Sequence, residues 1–199
     1  RRNMEIKNLP NFGILRDTVP KKLFNKLLSE SDYAELKNPD LVSGCTDKGV
    51  AKHKYLVNTK EEFFEYIKTL FLEYDKNFPQ LKNIRLLTKD LNFNLDYPWF
   101  NFQRKGEYVP NHIHDGLFSY SLWLKIPIES KFEFCYTNII GNIEQYAINL
   151  TKEDEGKIIF FPAKLPHTVY PFFDSDDVRI SISGNISIDS NGVINDTST

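Results

Sequence analysis

The residues most able to do chemistry in this chain are its histidines. Two of the four, His112 and His114, stand beside Asp115 in the six-residue stretch NHIHDG at 111–116. Imidazole nitrogens and carboxylate oxygens are the donors a divalent first-row metal takes from a protein. On an extended strand, residues i and i+2 face one side, roughly 6–7 Å apart at the backbone. His112 and His114 can therefore converge on one ion, with Ile113 and Asp115 facing away. Gly116 then permits a sharp departure of the chain. A third ligand must come from elsewhere. His167, in KIIFFPAKLPHTVYPFF at 157–173, follows an apolar strand and precedes another strand-like run. Two ligands at i and i+2 plus a distant third make a three-ligand face, with the opposite side open to substrate or oxygen.

A second constellation follows in DDVRISISGN at 176–185. Arg179 and Ser181 share one side of that strand, and Ile180 and Ile182 share the other. If the isoleucines pack against helices or a second sheet, Arg179 and Ser181 point inward. A buried guanidinium demands an anionic partner, and no acidic residue is an obvious strand partner. A ligand's carboxylate would satisfy it through two parallel hydrogen bonds, with the serine hydroxyl adding a third. Asn101 and Gln103 alternate on the strand before the histidines and Tyr120 lies on the strand after, all as pocket lining. Trp99 and Trp123 read as core or pocket wall. His53, in GVAKHKYLV, reads as a surface or packing residue.

The elements that must position these groups fall into two regions. TVPKKLFNKLLSE predicts a helix with Thr18 as N-cap and Pro20 in its first turn. NTKEEFFEYIKTLFLEYDKNFP predicts a second, opened by acidic residues, lined by Phe63, Phe64, Ile67, Leu70, Phe71 and Tyr74, and closed by Pro79. From about residue 84 the period changes to two. WFNFQRKG, LFSYSLWLKIP, KFEFCY, EQYAINL, KIIFFP and VRISISGNISI read as short strands, separated by turn signals such as NIIGN at 138–142, DSDD at 174–177 and DSNG at 189–192. That run predicts an antiparallel sandwich or barrel. The expectation is one domain over 1–199, mainly β with N-terminal helices (α+β). A helical extension over 1–83 packs on a jelly-roll-like β core over 84–194, and NHIHDG sits near the barrel mouth.

The order HIHDG, FFPAKLPHTVYPF, RISISGN resembles the iron(II)/2-oxoglutarate-dependent oxygenases. It is most similar to a group of small oxygenases, loosely called prolyl-hydroxylase-like, encoded by marine bacteriophages and bacteria. The resemblance spans about 95–188, and KGEYVPNHIHDG and VYPFFDSDDVRISISGNI are its most specific parts. It implies a double-stranded β-helix with Fe(II) on His112 and His167. It also implies 2-oxoglutarate held by Arg179, twelve residues after His167, and by Ser181, with Asn101 and Tyr120 as positions that often touch the co-substrate. The implied reaction joins 2-oxoglutarate, O2 and an unidentified primary substrate, a small molecule or a peptidyl residue. It yields succinate, carbon dioxide and a hydroxylated product. One departure stands out. The wider superfamily has His-x-Asp or His-x-Glu where this chain has His112-x-His114. Either the metal face is three histidines, or Asp115 swings in as the anionic ligand in place of His114. Two alternatives to the oxygenase remain: a cupin-like three-histidine metalloenzyme without 2-oxoglutarate, and a non-catalytic jelly-roll binding module.

Composition narrows the partners. The chain is 41% hydrophobic and 14% aromatic, ample for a core. Its 25 Lys and Arg against 27 Asp and Glu leave a net charge of −2, so no basic surplus marks a nucleic-acid surface, although a local basic patch stays open. No apolar run reaches the ~20 residues of a membrane span, and the N-terminus lacks a signal-peptide h-region. Cys45 and Cys135 are isolated and read as reduced thiols. The expected setting is cytoplasmic, with a phage-infected host cell as one option and the source organism left open.

Overall fold

Alternation of apolar and small polar residues builds the sheet that carries the site. In the computed structural model, which describes residues 13–41, 52–78 and 93–188, eleven strands and two long helices follow in chain order. They are β1 (Leu15–Thr18), α1 (Lys21–Lys37), β2 (Lys52–Tyr55), α2 (Lys60–Asn77), β3 (Phe93–Leu95), β4 (Trp99–Gln103) and β5 (Val109–His112). Then come β6 (Phe118–Lys125), β7 (Ser130–Thr137), β8 (Ile143–Leu150), β9 (Lys157–Pro162), β10 (His167–Val169) and β11 (Arg179–Ile188). All pairings are antiparallel. The major sheet runs β1-β9-β6-β11-β4-β2, with β3 on the far end of β11; the minor sheet runs β5-β10-β7-β8. This is the jelly-roll, double-stranded β-helix architecture, mainly β with N-terminal helices.

Each inner strand shows its two faces. On β11, Ile180, Ile182 and Ile186 join the helix-side core; on β4, Phe100 and Phe102 do the same. Their neighbours Arg179, Ser181, Ser183, Trp99, Asn101 and Gln103 line a cavity between the sheets. The helices cover the apolar face with Leu23, Phe24, Leu27 and Ala34 from α1 and Phe63, Ile67, Leu70 and Tyr74 from α2. A second apolar cluster, including Trp123, Phe132, Phe134, Ile159 and Phe161, fills the space between the two sheets. So the helices hold the major sheet from behind, and the minor sheet closes over its front.

Two sequence expectations change. Thr18 is not the N-cap of α1: it pairs with Lys157 in the β1–β9 ladder. The helix starts instead at Lys21 behind Pro20, whose carbonyl accepts from the Phe24 N–H at 2.9 Å. The segment before residue 84 supplies strands as well as helices, because β1 and β2 form the two edges of the major sheet. His53 sits on that second edge. Pro79, Cys45, the DSNG turn and the expected onset of the β core at 84 lie outside the described residues. Among the described residues no helix is long and apolar enough to cross a membrane.

The helices are tied to each other by one carboxylate. Glu30 of α1 is 2% exposed. Its oxygens accept from the backbone N–H groups of Val57, Asn58 and Thr59 at 2.8, 2.9 and 2.8 Å, and from Asn38 Nδ2 at 3.1 Å. These donors lead into the first turn of α2, where orphan N–H groups and the helix dipole both favour negative charge. Glu30→Gln puts an NH2 against those donors and leaves at least one of them unsatisfied. It should lower unfolding free energy by about 2–3 kcal/mol. In urea titration this would show as a reduced midpoint at unchanged slope.

Candidate metal centre

Register, not sequence proximity, brings the distant histidine home. β5 and β10 are antiparallel neighbours, and His112 lies directly opposite His167. Such cross-strand pairs hold their Cβ atoms about 5 Å apart, and here the ring centroids are 4.2 Å apart. His114 lies just past the end of β5. Its backbone N–H donates to the Ala163 carbonyl at 2.9 Å, which pins it to the loop that leads into His167. Its ring stands 4.9 Å from that of His112 and 5.1 Å from that of His167. One nitrogen from each ring falls within 4.8 Å of the others. The Nε2 atoms of His114 and His167 are 3.2 Å apart. Two neighbouring imidazoles on an octahedral cation, each at about 2.1 Å, would be separated by about 3 Å.

The tautomers suit a cation too. His112 Nδ1 lies 2.8 Å from the Pro110 carbonyl, and His167 Nδ1 lies 3.0 Å from the Leu165 carbonyl. A carbonyl only accepts, so both Nδ1 atoms carry the proton and both Nε2 lone pairs face the cluster. Phe132 stacks on His167 at 5.4 Å, with Phe161 edge-on at 4.9 Å. Burial in this aromatic wall pushes the His167 pKa down to about 3 and that of His114 to about 4, and lowers that of His112. All three are therefore neutral ligands at neutral pH. In the unfolded chain they titrate near 6.5, so there the unfolded state binds protons that the folded state refuses. Stability of the metal-free protein is thus full above pH 6.5 and falls as pH drops toward 4, by up to about 1.4 kcal/mol per pH unit for each imidazole. Thermal melts between pH 7 and pH 5 should show this slope, and the triple variant H112Q/H114Q/H167Q should flatten it.

Asp115 is elsewhere. Its carboxylate is fully exposed, 3.4 Å from Lys164 Nζ. The geometry groups His114, not Asp115, with the other two histidines.

Arg179 lies in the same cavity as the histidines and is 2% exposed. Its guanidinium donates to Ser130 Oγ and Gln103 Oε1, and to the Tyr170 carbonyl at 3.4 Å. All three acceptors are neutral. Among the described residues it forms no ion pair, and burial lowers its pKa to about 10. Ser181 Oγ accepts from Asn101 Nδ2 at 3.1 Å, which leaves the serine proton for an incoming acceptor. Asn101 has little left to give. Its Oδ1 takes the Trp99 indole N–H at 3.0 Å and its Nδ2 serves both Ser181 and Ser183. It orients Trp99, whose ring lies 6.3 Å from that of His114.

Tyr120 is among the residues that line the cavity. Its ring packs in the helix-side core, edge-on to Phe63 at 5.7 Å. Ser121 and Trp123 of β6 line the cavity as well. Tyr120 lies opposite Gly184, where any Cβ would meet its hydroxyl at 2.1 Å. Gln103 was read as pocket lining, whereas Ser130 and Tyr170, which hold the guanidinium with it, were not in the sequence-derived site. Neither was His53, whose ring reaches the cavity wall.

Residues 97–185 match the family model described as "Putative 2OG-Fe(II) oxygenase". That segment holds the three histidines, Arg179 and Ser181. The match covers less than half of the chain, and it shows that this segment is similar to the 2OG-Fe(II) oxygenases. Solved structures of prolyl hydroxylases and of an α-ketoglutarate-dependent enzyme share its fold. A prolyl-4-hydroxylase from Pseudomonas putida aligns with a TM-score of 0.57 at 16% identity, over 87% of this chain and 91% of that one. A prolyl hydroxylase from Trichoplax adhaerens, in complex with a hypoxia inducible factor oxygen degradation domain peptide, gives 0.58 at 11%, over 89% and 82%. The α-ketoglutarate-dependent carbocyclase SnoK from nogalamycin biosynthesis gives 0.54 at 12%, over 90% and 80%. No curated protein matches the sequence.

Proposed function

We propose that this chain is a 2OG-Fe(II) oxygenase and binds Fe(II) on His112, His114 and His167. Arg179 and Ser181 then receive the distal carboxylate of 2-oxoglutarate, and the protein hydroxylates a primary substrate. The observation that carries this reading is the buried guanidinium of Arg179. It opens into the cavity of the histidines with only neutral acceptors around it. An uncompensated charge at 2% exposure is costly, and a carboxylate brought by a ligand removes that cost through paired, charge-assisted hydrogen bonds. The donor set fits the metal: three neutral imidazoles, two of them with Nε2 presented by carbonyl-bound Nδ1–H groups, and an open opposite side.

When bound, iron and 2-oxoglutarate would supply oxidative decarboxylation, in which O2, 2-oxoglutarate and substrate give succinate, carbon dioxide and an alcohol. The chain's own part is placement and exclusion of water. Gln103, Ser130 and the Tyr170 carbonyl hold the guanidinium still. Phe132, Phe134 and Phe161 keep the metal face dry from behind. Asn101 fixes Trp99 beside His114. A three-histidine enzyme without 2-oxoglutarate would call for an Arg179 paired to a protein carboxylate, and its neutral surroundings favour the oxygenase instead.

The test is slow, substrate-free turnover. Incubation with Fe(II), ascorbate, O2 and labelled 2-oxoglutarate should release labelled succinate. Chelation and His167→Ala should each stop it. Iron bound at one per chain with no succinate formed would sink the reading.

A further inference from the structure

Resting on that proposed function, the cavity also says something about the primary substrate. Its lining includes His53, Trp99, Asn101, Gln103, Arg179 and the three histidines, and among the described residues that line it there is no aspartate and no glutamate. The charge balance follows. A divalent cation on three neutral imidazoles keeps both its charges, and Arg179 adds one. 2-Oxoglutarate is a dianion and cancels two. One positive charge is left in a site walled by aromatic rings, where Coulomb interactions are stronger than in water. A His-x-Asp face would have cancelled it; His114 does not.

Two lining residues, His53 and Tyr120, carry a buried polar atom without a hydrogen-bond partner among the described residues, and the Tyr120 hydroxyl lies in the helix-side core against Gly184. His53 Nε2 is fully buried and has no hydrogen-bond partner among the described residues. His53 lies opposite Asn101 across the β2–β4 ladder and therefore shares its inward face. A buried imidazole nitrogen without a partner is costly. The side-chain N–H groups of Trp99, Asn101 and Gln103 are engaged. The Trp99 N–H is held by Asn101, the Asn101 amide by Ser181 and Ser183, and the Gln103 Nε2 by the Glu107 and Tyr170 carbonyls. The cavity is small, about 90 Å³, so little besides the reacting end of a substrate fits beside the co-substrate.

We propose that the primary substrate is a small carboxylate-bearing molecule, and that His53 receives its carboxylate through a hydrogen bond from Nε2–H. The anion cancels the last charge and partners the orphan nitrogen at once. His53 is thus a substrate-binding residue contributed by the edge strand of the N-terminal segment.

Acetate and acetamide serve as the probes, because they share a shape and differ in charge. Each is titrated into the full chain loaded with Mn(II) and N-oxalylglycine, an inert 2-oxoglutarate analogue. Binding is followed by the fluorescence of Trp99 and Trp123, which line the cavity. Acetate should bind at least tenfold tighter than acetamide. His53→Ala should weaken acetate binding about tenfold and narrow its lead over acetamide while leaving N-oxalylglycine affinity unchanged, and His53→Gln, which keeps a donor, should restore part of the loss. Equal affinities in the native chain, or acetate binding unchanged by His53→Ala, would overturn the inference while sparing the oxygenase reading. Failure of Mn(II) and N-oxalylglycine to bind at all would overturn both.

Discussion

Arg179→Ala should weaken 2-oxoglutarate binding by about 100-fold or more while leaving metal affinity within about twofold. The guanidinium is the cavity's fixed cation, and truncating one partner of a buried charge pair costs about 2–5 kcal/mol, where 1.4 kcal/mol is tenfold. No histidine bonds to it, so the metal face should not notice. Stability separates this account from a structural role for the arginine. Burial lowers the pKa of Arg179 to about 10, so the folded state disfavours its charged form. Without ligand the residue is a net burden. Arg179→Met, which keeps an apolar stem and discards the charge, should melt at or above the temperature of the native protein when co-substrate is absent. Adding 2-oxoglutarate with Mn(II) should raise the melting temperature of the native chain and leave that of Arg179→Met where manganese alone puts it. A structural arginine would give the reverse: a large loss of stability without ligand and the same ligand shift in both proteins.

His114→Ala should lower metal affinity by about 100-fold, and Asp115→Asn should leave it within about twofold. His114 Nε2 lies 3.2 Å from His167 Nε2, the spacing of two adjacent ligands. The Asp115 carboxylate faces solvent and Lys164. Even residues that only orient a ligand typically affect metal affinity 10- to 100-fold, so loss of a ligand itself should reach the upper end. His114→Asp creates the His-x-Asp pattern of the wider superfamily. It should recover much of the metal affinity lost in His114→Ala and also cancel the spare positive charge, which shrinks the preference of the cavity for acetate over acetamide. Competition with a fluorescent chelator measures the first effect in all three variants. An Asp115→Asn loss equal to that of His114→Ala would assign the third ligand to Asp115.

How much of this is legible in the sequence depends on how local each signal is. The strands β4, β6, β7, β8, β9 and β11 follow from alternation in single stretches, and VRISISGNISI even gives the facing of Arg179 and Ser181 through its isoleucines. β6 shows the limit. Both of its faces are buried, so alternation alone does not say which one is inner, and Tyr120, read as pocket lining, borders the cavity while its ring packs in the helix-side core. Its serines held the clue, because small residues clear space for a ligand. The edge strands LRDT and KHKY carry no periodic signal at four residues each, and only their partners define them. His53 was therefore read as packing. The cradle of Arg179 draws on Gln103, Ser130 and Tyr170 from separate stretches of chain, a convergence that depends on register between strands far apart in sequence. Asn101 was placed correctly on the inner face, but only the hydrogen-bond network shows that its amide is already used.

The most direct measurement is an anaerobic titration of 2-oxoglutarate into the Fe(II)-loaded protein, followed by visible absorption. Chelation of iron by the keto acid should give a charge-transfer band that saturates at one 2-oxoglutarate per chain. The band should be missing in His167→Ala and need about 100-fold more 2-oxoglutarate in Arg179→Ala. Iron bound without any such band, or identical titrations for the native chain and Arg179→Ala, would contradict the account.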